Sequence, residues 1–522
     1  MNNCAQRYHK LTADREIYLD RARECSELTL PSLITPEGFS SATDLYQPFQ
    51  STGARGVNNL ASKLLLLLFP PNSPFFRLAM DTKTKAELDN DGQLRAQIEQ
   101  GLAGIEREVM GEIENSAMRV HVFEALKHLI VSGNTLVHLP KKGGIRVFPL
   151  SSYVCKRDPN GELLEVIVEE VISPKVLPKD MEGVNYEGEE VKIYTKVERT
   201  SESEYYIYQE VGGVLVPNSE GTYKKELLPW RALRMVHIDG ENYGRSYTEE
   251  YLGDLKSLEG LMESIVSCAA ASSKLVFLVR PNASVKRRDL AQAKNGSIIV
   301  GQPEDVKVLQ TEKSNDMRVV LETVKRIEER LAFAFLLNTS IQRDAERVTA
   351  EEIRFMAQEL ESALGGVYSV LSQEMQLPIV NIMLDRLSSK NKIPKLPKGT
   401  VTPVIVTGVE ALGRGNDLNK LRGYIQDLMQ LAQANPQAIQ MINFSDLVAR
   451  LATGHGIDTI GLIKTPEQMQ QEQQAAAQSQ QEQMMQQTMM SAAPGVAKEM
   501  VKNNKDMSPE QMAEMTQQQT EE

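Results

Sequence analysis

Six histidines are scattered along the 522 residues. Only His121 and His128, seven apart in a stretch of helical spacing, can share a helix face. A metal centre needs at least a third ligand close by, and the sequence offers none, so structural roles are expected for both. Adjacent carboxylates at Glu249-Glu250, Glu328-Glu329 and Glu351-Glu352 are the residue type that general acid–base chemistry uses. They fall on charged helix faces or in first turns, where the helix dipole and water account for them. The chain holds no GxxxxGK[ST] phosphate loop, GxGxxG, HExxH or GxSxG. No constellation supports a reaction, so the chain is not expected to be an enzyme, and no catalytic residue, cofactor or metal is expected.

Basic side chains are the remaining candidates. Lys286-Arg287-Arg288 lies at the start of a short polar helical stretch, a position that suits either solvent or a partner surface. Arg343 and Arg347 flank Asp344 and Glu346 in a polar loop at 340–348, whose charge is therefore balanced. Lys390, Lys392, Lys395 and Lys398 are spread through a proline-containing surface or channel-facing loop.

The charge balance narrows the function classes. Lys and Arg total 58 against 70 Asp and Glu, a net charge of −12. Tight DNA binding needs clustered cations on the phosphates, so an acidic chain is a poor binder, although an acidic surface lets nucleic acid pass without sticking. Four dispersed cysteines without CxxC spacing fit reduced thiols better than a disulfide frame or a zinc site. No apolar run follows Met1, so no secretory leader is expected, and no segment reaches the roughly 20 apolar residues of a membrane span.

At about 150 residues per domain the length allows several domains. Residues 5–30 have helical spacing (Leu11, Arg15, Tyr18, Leu19, Ala22), and a polar helix-forming span follows at 83–133. From about Thr135 the period changes to two, with strands expected at Val147-Phe148, Val166–Val168, Val191–Val197, Tyr205–Tyr208 and Val214–Val216. Ser246 and Glu249 have capping-box spacing and open a helix to about Ser273. Lys274–Arg280 and Ser297–Val300 read as strands with a small helix at Val285–Ala293 between them. Asn315–Asn338 carries one apolar stripe through Met317, Val320, Leu321, Val324, Ile327, Leu331 and Phe335. Thr349 and Glu352 open another helix to about Ser388, bent at Gly365-Gly366. A strand at Thr400–Gly408 and helices at Asn416–Ala434 and Pro436–Thr453 precede a Gln/Met-rich tail from Pro466. A small α/β insert between two long helices resembles a stalk with a tip.

Leu64 to Leu68 and Phe69 run into Pro70-Pro71, which end any helix because proline lacks the N–H and clashes with the preceding turn. The run is too short for a bilayer and is expected to be a wholly buried helix end. Its neighbourhood carries a resemblance. ITPEGF at 34–39 and FQSTGARGVNNLASKLLLLLFPPNSPFFRL at 49–78, with NYGRSYTEEYLGDLKSLEGL at 242–261 and ERVTAEEIR at 346–354, resemble the portal (head-to-tail connector) proteins of T7-like short-tailed bacteriophages. The helix–insert–helix layout and the Gln/Met-rich C-terminus agree with it.

The resemblance implies an α+β, mainly α chain that assembles as a ring, typically dodecameric, at one capsid vertex. It implies a wing over 1–245 (β-rich at 135–240), stem helices at 246–273 and 315–339, and a clip at 274–314. A tunnel loop at 340–348, a wing helix and linker at 349–400, a crown at 401–465 and the low-complexity tail at 466–522 complete the layout. Such a portal nucleates procapsid assembly with scaffold and major capsid proteins, in the host cytoplasm, and remains in the virion. Double-stranded DNA enters through it under the terminase large subunit, which docks on the clip, and leaves through it on ejection. Tail adaptor and tail tube proteins later take over the clip, and internal core or ejection proteins meet the crown. By the same resemblance Arg343 and Arg347 would face DNA in the channel, and Lys286, Arg287 and Arg288 would form the clip interface. No membrane contact is implied. The alternative is an internal virion or ejection protein acting in genome delivery, which would need a membrane-active segment or a muramidase-like Glu site. A nuclease or ATPase is disfavoured by the missing metal and phosphate motifs.

Overall fold

A computed structural model describes residues 3–40, 42–71, 74–81, 83–84, 92–141, 144–179, 181, 188–272, 277–308, 314–337, 364, 366–394, 400–405, 423–430, 447–448 and 451. Two compact units divide the chain, Met1–Leu412 and Gly413–Glu522. In the second, the described residues 423–430, 447–448 and 451 are helical.

The first unit opens with α1 (Cys4–Glu27), whose first free N–H groups are met by the Asn3 side chain accepting from Ala5 N at 2.8 Å. Helix α2 (Thr52–Leu68) is the Leu-rich helix and stops at Phe69, whose extended backbone suits the residue before a proline. It is not wholly buried, because Leu65 and Leu66 remain half-exposed at its end. Strand β1 (Phe76–Met80) follows, then α3 (Gly92–Asn115) and α4 (Met118–Ser132). The 83–133 span is therefore not one helix, since Ala117 takes a left-handed conformation at φ 50° and breaks it. Gly133 closes α4 at φ 72°, and a Cβ there would lie 2.4 Å from the Arg245 backbone, so only glycine fits.

Strands β2 (Asn134–His138), β3 (Arg146–Phe148), β4 (Tyr153–Arg157), β5 (Leu163–Ile172), β6 (Val191–Arg199), β7 (Glu204–Val211), β8 (Val214–Leu215), β9 (Gly221–Lys224) and β10 (Trp230–Arg234) form two antiparallel sheets. One has the order β10-β2-β3, and the other β4-β5-β6-β7-β8 with β9 also on β7. Helix α1 seals the larger sheet through Leu19 and Ala22 against Tyr153, Val166, Val168 and Val197. The buried Arg15 crosses the seam, donating to Ser151 O at 2.8 Å and Tyr153 O at 3.3 Å.

A short α5 (Tyr247–Glu250) and the long α6 (Leu252–Ser272) come next, separated by a kink at Tyr251. Ser246 caps α5, accepting from Glu249 N at 3.1 Å. Then come β11 (Phe277–Val279), α7 (Arg287–Gln292), β12 (Val306–Val308) and α8 (Ser314–Ala334). Helices α9 (Val367–Leu371) and α10 (Leu377–Ser389) are joined by a π-turn over Ser372–Gln376. Leu377 N–H reaches back five residues to Ser372 O, an adjustment that accommodates Pro378, which has no N–H to give. Strand β13 (Val401–Ile405) pairs antiparallel with β1, Leu78 facing Pro403. The main core joins α2, α3, α4, α6, α8 and α10. No described helix is long and apolar enough to cross a membrane.

Candidate functional site

Helices α6 and α8 pack side by side with opposite chain directions. Asp254 at the start of α6 meets Arg330 near the end of α8 at 2.7 Å, an exposed pair that contributes little. Their adhesion comes from Leu255, Leu258, Val324, Ile327 and Leu331, all buried in the main core.

The root of this pair is held by the segment Tyr46–Lys63. On the α6 side, Glu259 is a buried carboxylate at 7% exposure. It accepts from Tyr46 Oη at 2.6 Å, Phe49 N at 2.8 Å and Gln50 N at 3.3 Å. The bond to Glu259 pushes the Tyr46 phenol up to about 12. Gln50 in turn donates to Leu28 O at 2.7 Å and accepts from Gly53 N at 2.8 Å, which caps α2 in place of the uncommitted Ser51 side chain.

On the α8 side, three successive carbonyls at the helix end receive side-chain donors. Tyr247 Oη donates to Ala334 O at 2.8 Å. Asn59 Nδ2 reaches Phe335 O at 3.0 Å and Leu336 O at 2.9 Å. Lys63 Nζ reaches Leu336 O at 2.9 Å from a side chain only 7% exposed. A cation at a helix C-terminus is favoured by the dipole. Leu336 sits at φ 54°, where a non-glycine residue costs on the order of 1–2 kcal/mol. The close approach that makes this possible depends on small residues. A Cβ on Gly53 would lie 2.4 Å from Leu28 O, and one on Gly56 would lie 2.6 Å from the Phe335 ring.

At the far end of the pair sits the insert. Strands β11 and β12 pair antiparallel, Phe277 facing Val308 and Val279 facing Val306. Asp305 ties the insert together, accepting from Ser284 N at 2.8 Å and Ser284 Oγ at 2.6 Å. These bonds hold its carboxyl below the usual range. The second strand is thus Val306–Val308, not Ser297–Val300. The latter segment joins no strand among the described residues, and Ile298 and Val300 are 98% and 90% exposed.

The family model for bacteriophage head to tail connecting protein matches residues 1–463. The chain is 44% identical over 476 residues to the portal protein of Escherichia phage T7, covering 89% of this chain and 88% of that protein. It is 44% identical over 477 residues to the portal protein of Enterobacteria phage T3, covering 89% and 88%. Against the portal protein of Enterobacteria phage SP6 it is 33% identical over 505 residues, covering 95% and 96%. The chain belongs to the bacteriophage head-to-tail connecting proteins. Its role is that of a portal, and it is a component of the virion.

In this connector the expected site residues fall as follows. Lys286 takes the N-cap position of α7, and Arg287 and Arg288 form its first turn; all three are exposed, and none makes an ion pair among the described residues. Arg343 and Arg347 lie outside the described residues, as do the capping pair Thr349 and Glu352 and the tail from Pro466. Lys390 and Lys392 both pair with Glu112 of α3, at 3.1 Å each, and these pairs hold the Glu112 carboxyl low. His128 is buried and its basicity is pushed down to about 4 by desolvation, while His121 is half-buried. Among the described residues no group of His, Cys, Asp and Glu could hold a metal. Sequence reasoning missed Tyr46, Gln50, Asn59, Lys63 and Glu259. The signal was present in the spacing of Gly56, Asn59 and Lys63, which puts three non-aliphatic residues on one face of a helix whose neighbouring positions Val57, Leu60, Ala61 and Leu64 are core residues.

Proposed function

We propose that copies of this chain assemble as a ring, typically a dodecamer, at one capsid vertex, and that double-stranded DNA is packaged and ejected through its channel. The wing comprises 1–245 and the helix and linker at 349–400. The stem is 246–273 with 315–339, the clip is 274–314, the tunnel loop is 340–348 and the crown is 401–465. The observation that carries this reading is the apolar surface left open along α6, the insert and α8. Val266, Ile298, Val300, Val319, Leu321 and Phe333 are all exposed, Phe333 at 78%. A soluble chain rarely leaves such a series uncovered, and cyclic packing of identical copies covers it on every subunit at once.

The exposed Lys286, Arg287 and Arg288 suit an acidic or phosphate-rich partner surface, and are assigned to docking of the terminase large subunit and later of tail adaptor proteins. Arg343 and Arg347 are assigned to the channel loop. An overall acidic chain at −12 lets DNA slide, because phosphates find few cations to hold them. The ATP hydrolysis that drives DNA inward comes from the terminase. Scaffold, major capsid and internal core proteins are the other expected contacts.

Negative-stain imaging of the purified protein tests the ring. Particles that stay monomeric in every salt condition would end this reading. Deletion of 274–314 is expected to leave rings but abolish terminase capture in a pull-down, and capture by the deleted ring would show the clip assignment wrong.

A further inference from the structure

We propose that Asn59, Lys63 and Glu259 are positioning residues that fix the axial register of the α6–α8 pair against the body, so that the pair carries load along its length without sliding. The inference rests on the portal reading, since the load it invokes is that of confined DNA.

The apolar contacts around Leu255, Leu258, Val324, Ile327 and Leu331 are non-directional, and packed helices joined only by such contacts move past one another in shear steps at small cost. Directional bonds change this. A slide of one residue along a helix is about 1.5 Å, enough to take an oxygen at 2.8–3.0 Å out of hydrogen-bonding range. Glu259 is anchored by three donors from Tyr46, Phe49 and Gln50, which fixes α6. Asn59 and Lys63 hold the Phe335 and Leu336 carbonyls, which fixes α8. The two anchors grip the two helices separately, so neither can shear against the other or against α2.

Both anchors place an ionic group in a buried position, where displacement strands a charge rather than merely losing a contact. Leu336 closes α8 in the left-handed position, with Leu337 N–H returning to Ala332 O at 2.7 Å, and Asn59 and Lys63 of α2 take carbonyls left free at that helix end.

The test uses complete rings and heads assembled with them. Lys63→Met, Glu259→Gln and their combination are compared with Lys63→Arg, which keeps a cationic donor. Each ring is imaged, and each head is scored for DNA retained after packaging of a full-length or a shortened genome. The expected result is normal rings, loss of full-length DNA in the Met and Gln variants, retention of the shortened genome, and recovery with Lys63→Arg. Retention of full-length DNA by the combined variant, or equal loss of both genome lengths, would overturn the proposal. Hydrogen exchange on wild-type rings gives a second check should the combined variant fail to assemble. Amides of Phe335, Leu336 and Leu337 must exchange far more slowly than those at 266–271, and equal rates would also overturn it. Failure of the wild-type chain to form rings would instead count against the portal reading.

Discussion

Substituting Gly56 by Ala probes the contact on which the root of the α6–α8 pair depends. In a helix interior the change normally stabilises by about 1 kcal/mol, because glycine loses more backbone entropy on folding. Here the new Cβ would lie 2.6, 2.9 and 3.0 Å from three atoms of Phe335, against about 3.5–4.0 Å for an unstrained carbon contact. Phe335 is fully buried, with the Tyr247 and Tyr251 rings 5.9 and 5.8 Å away, so it has little room to swing aside. Overpacking of this kind costs about 1–3 kcal/mol, and Gly56→Ala is expected to be neutral to about 2 kcal/mol destabilising. Gly101 in α3 is exposed and a Cβ there meets nothing within 4 Å, so Gly101→Ala is expected to stabilise. The difference between the two variants isolates the steric penalty, since the propensity gain cancels. Urea unfolding followed by far-UV circular dichroism measures both. Equal midpoint shifts for the two would refute the argument. Combining Gly56→Ala with Phe335→Leu, which shrinks the ring, should show a coupling between the sites, whereas strict additivity would also count against it.

Other outcomes follow from the buried polar groups. His128 and His138 are both pushed down to about 4, mainly by burial. The unfolded chain therefore binds protons between about pH 6.5 and 4 that the folded chain refuses, and stability falls as pH drops through that window. By pH 5 the loss is about 2 kcal/mol for each histidine, and His128→Gln should flatten the fall in unfolding midpoint between pH 7 and 5. Arg15→Met removes a buried donor to Tyr153 O and one of the two donors to Ser151 O and should lower stability by about 1–3 kcal/mol, the cost of depriving a buried carbonyl of its partner, with the unfolding midpoint as readout. Cys4 and Cys25 are pushed up to about 11 and 12 by burial, and Cys155 is also raised. These three thiols should stay silent to a thiol reagent at pH 8 until denaturant is added, and fast labelling of any one would contradict the packing around α1 and β4.

The elements legible in the sequence were those whose pattern had one solution. Alternation over 191–197 and 205–208 matched β6 and β7 because their neighbours are next in sequence, joined by short turns. The Ser246 cap was legible for a similar reason, as donor and acceptor are three residues apart. The insert was read wrongly where alternation met competition. Ser297–Val300 has strand-forming residues, yet Val306–Val308 pairs with β11, and Arg280 N bonding to Asp305 O fixes that register. β-Propensity expresses fit to a neighbouring strand more than an intrinsic backbone preference, so two rival segments cannot be ranked from composition alone. The 83–133 span is helical where described, as its composition suggests, but the division between α3 and α4 was not legible, because a left-handed break at an alanine has no local signature.

The root of the α6–α8 pair was invisible for a more general reason. Glu259 and Tyr46 are 213 residues apart, and Lys63 and Leu336 are 273 apart, so the partners cannot be paired from spacing. What the sequence did carry was an inconsistency, a lysine next to the apolar run Leu64–Leu68 and buried with it. A charge in such a place is costly unless its partner is fixed. The run Leu64–Leu68 supplies the adhesion that holds α2 in the core, and the Gly53–Lys63 face decides what α2 may sit against. A helix with the leucines alone would pack in several registers, and the polar face leaves one. If that division of labour is right, replacing Leu65 with Met should cost little beyond a small loss of packing energy, because Leu65 is only half-buried. Lys63→Met, which adds apolar surface, should still loosen the end of α8. Hydrogen exchange at Phe335–Leu337 separates the two. A larger effect from Leu65→Met than from Lys63→Met would mean that packing, and not the directional bonds, sets the register of the α6–α8 pair.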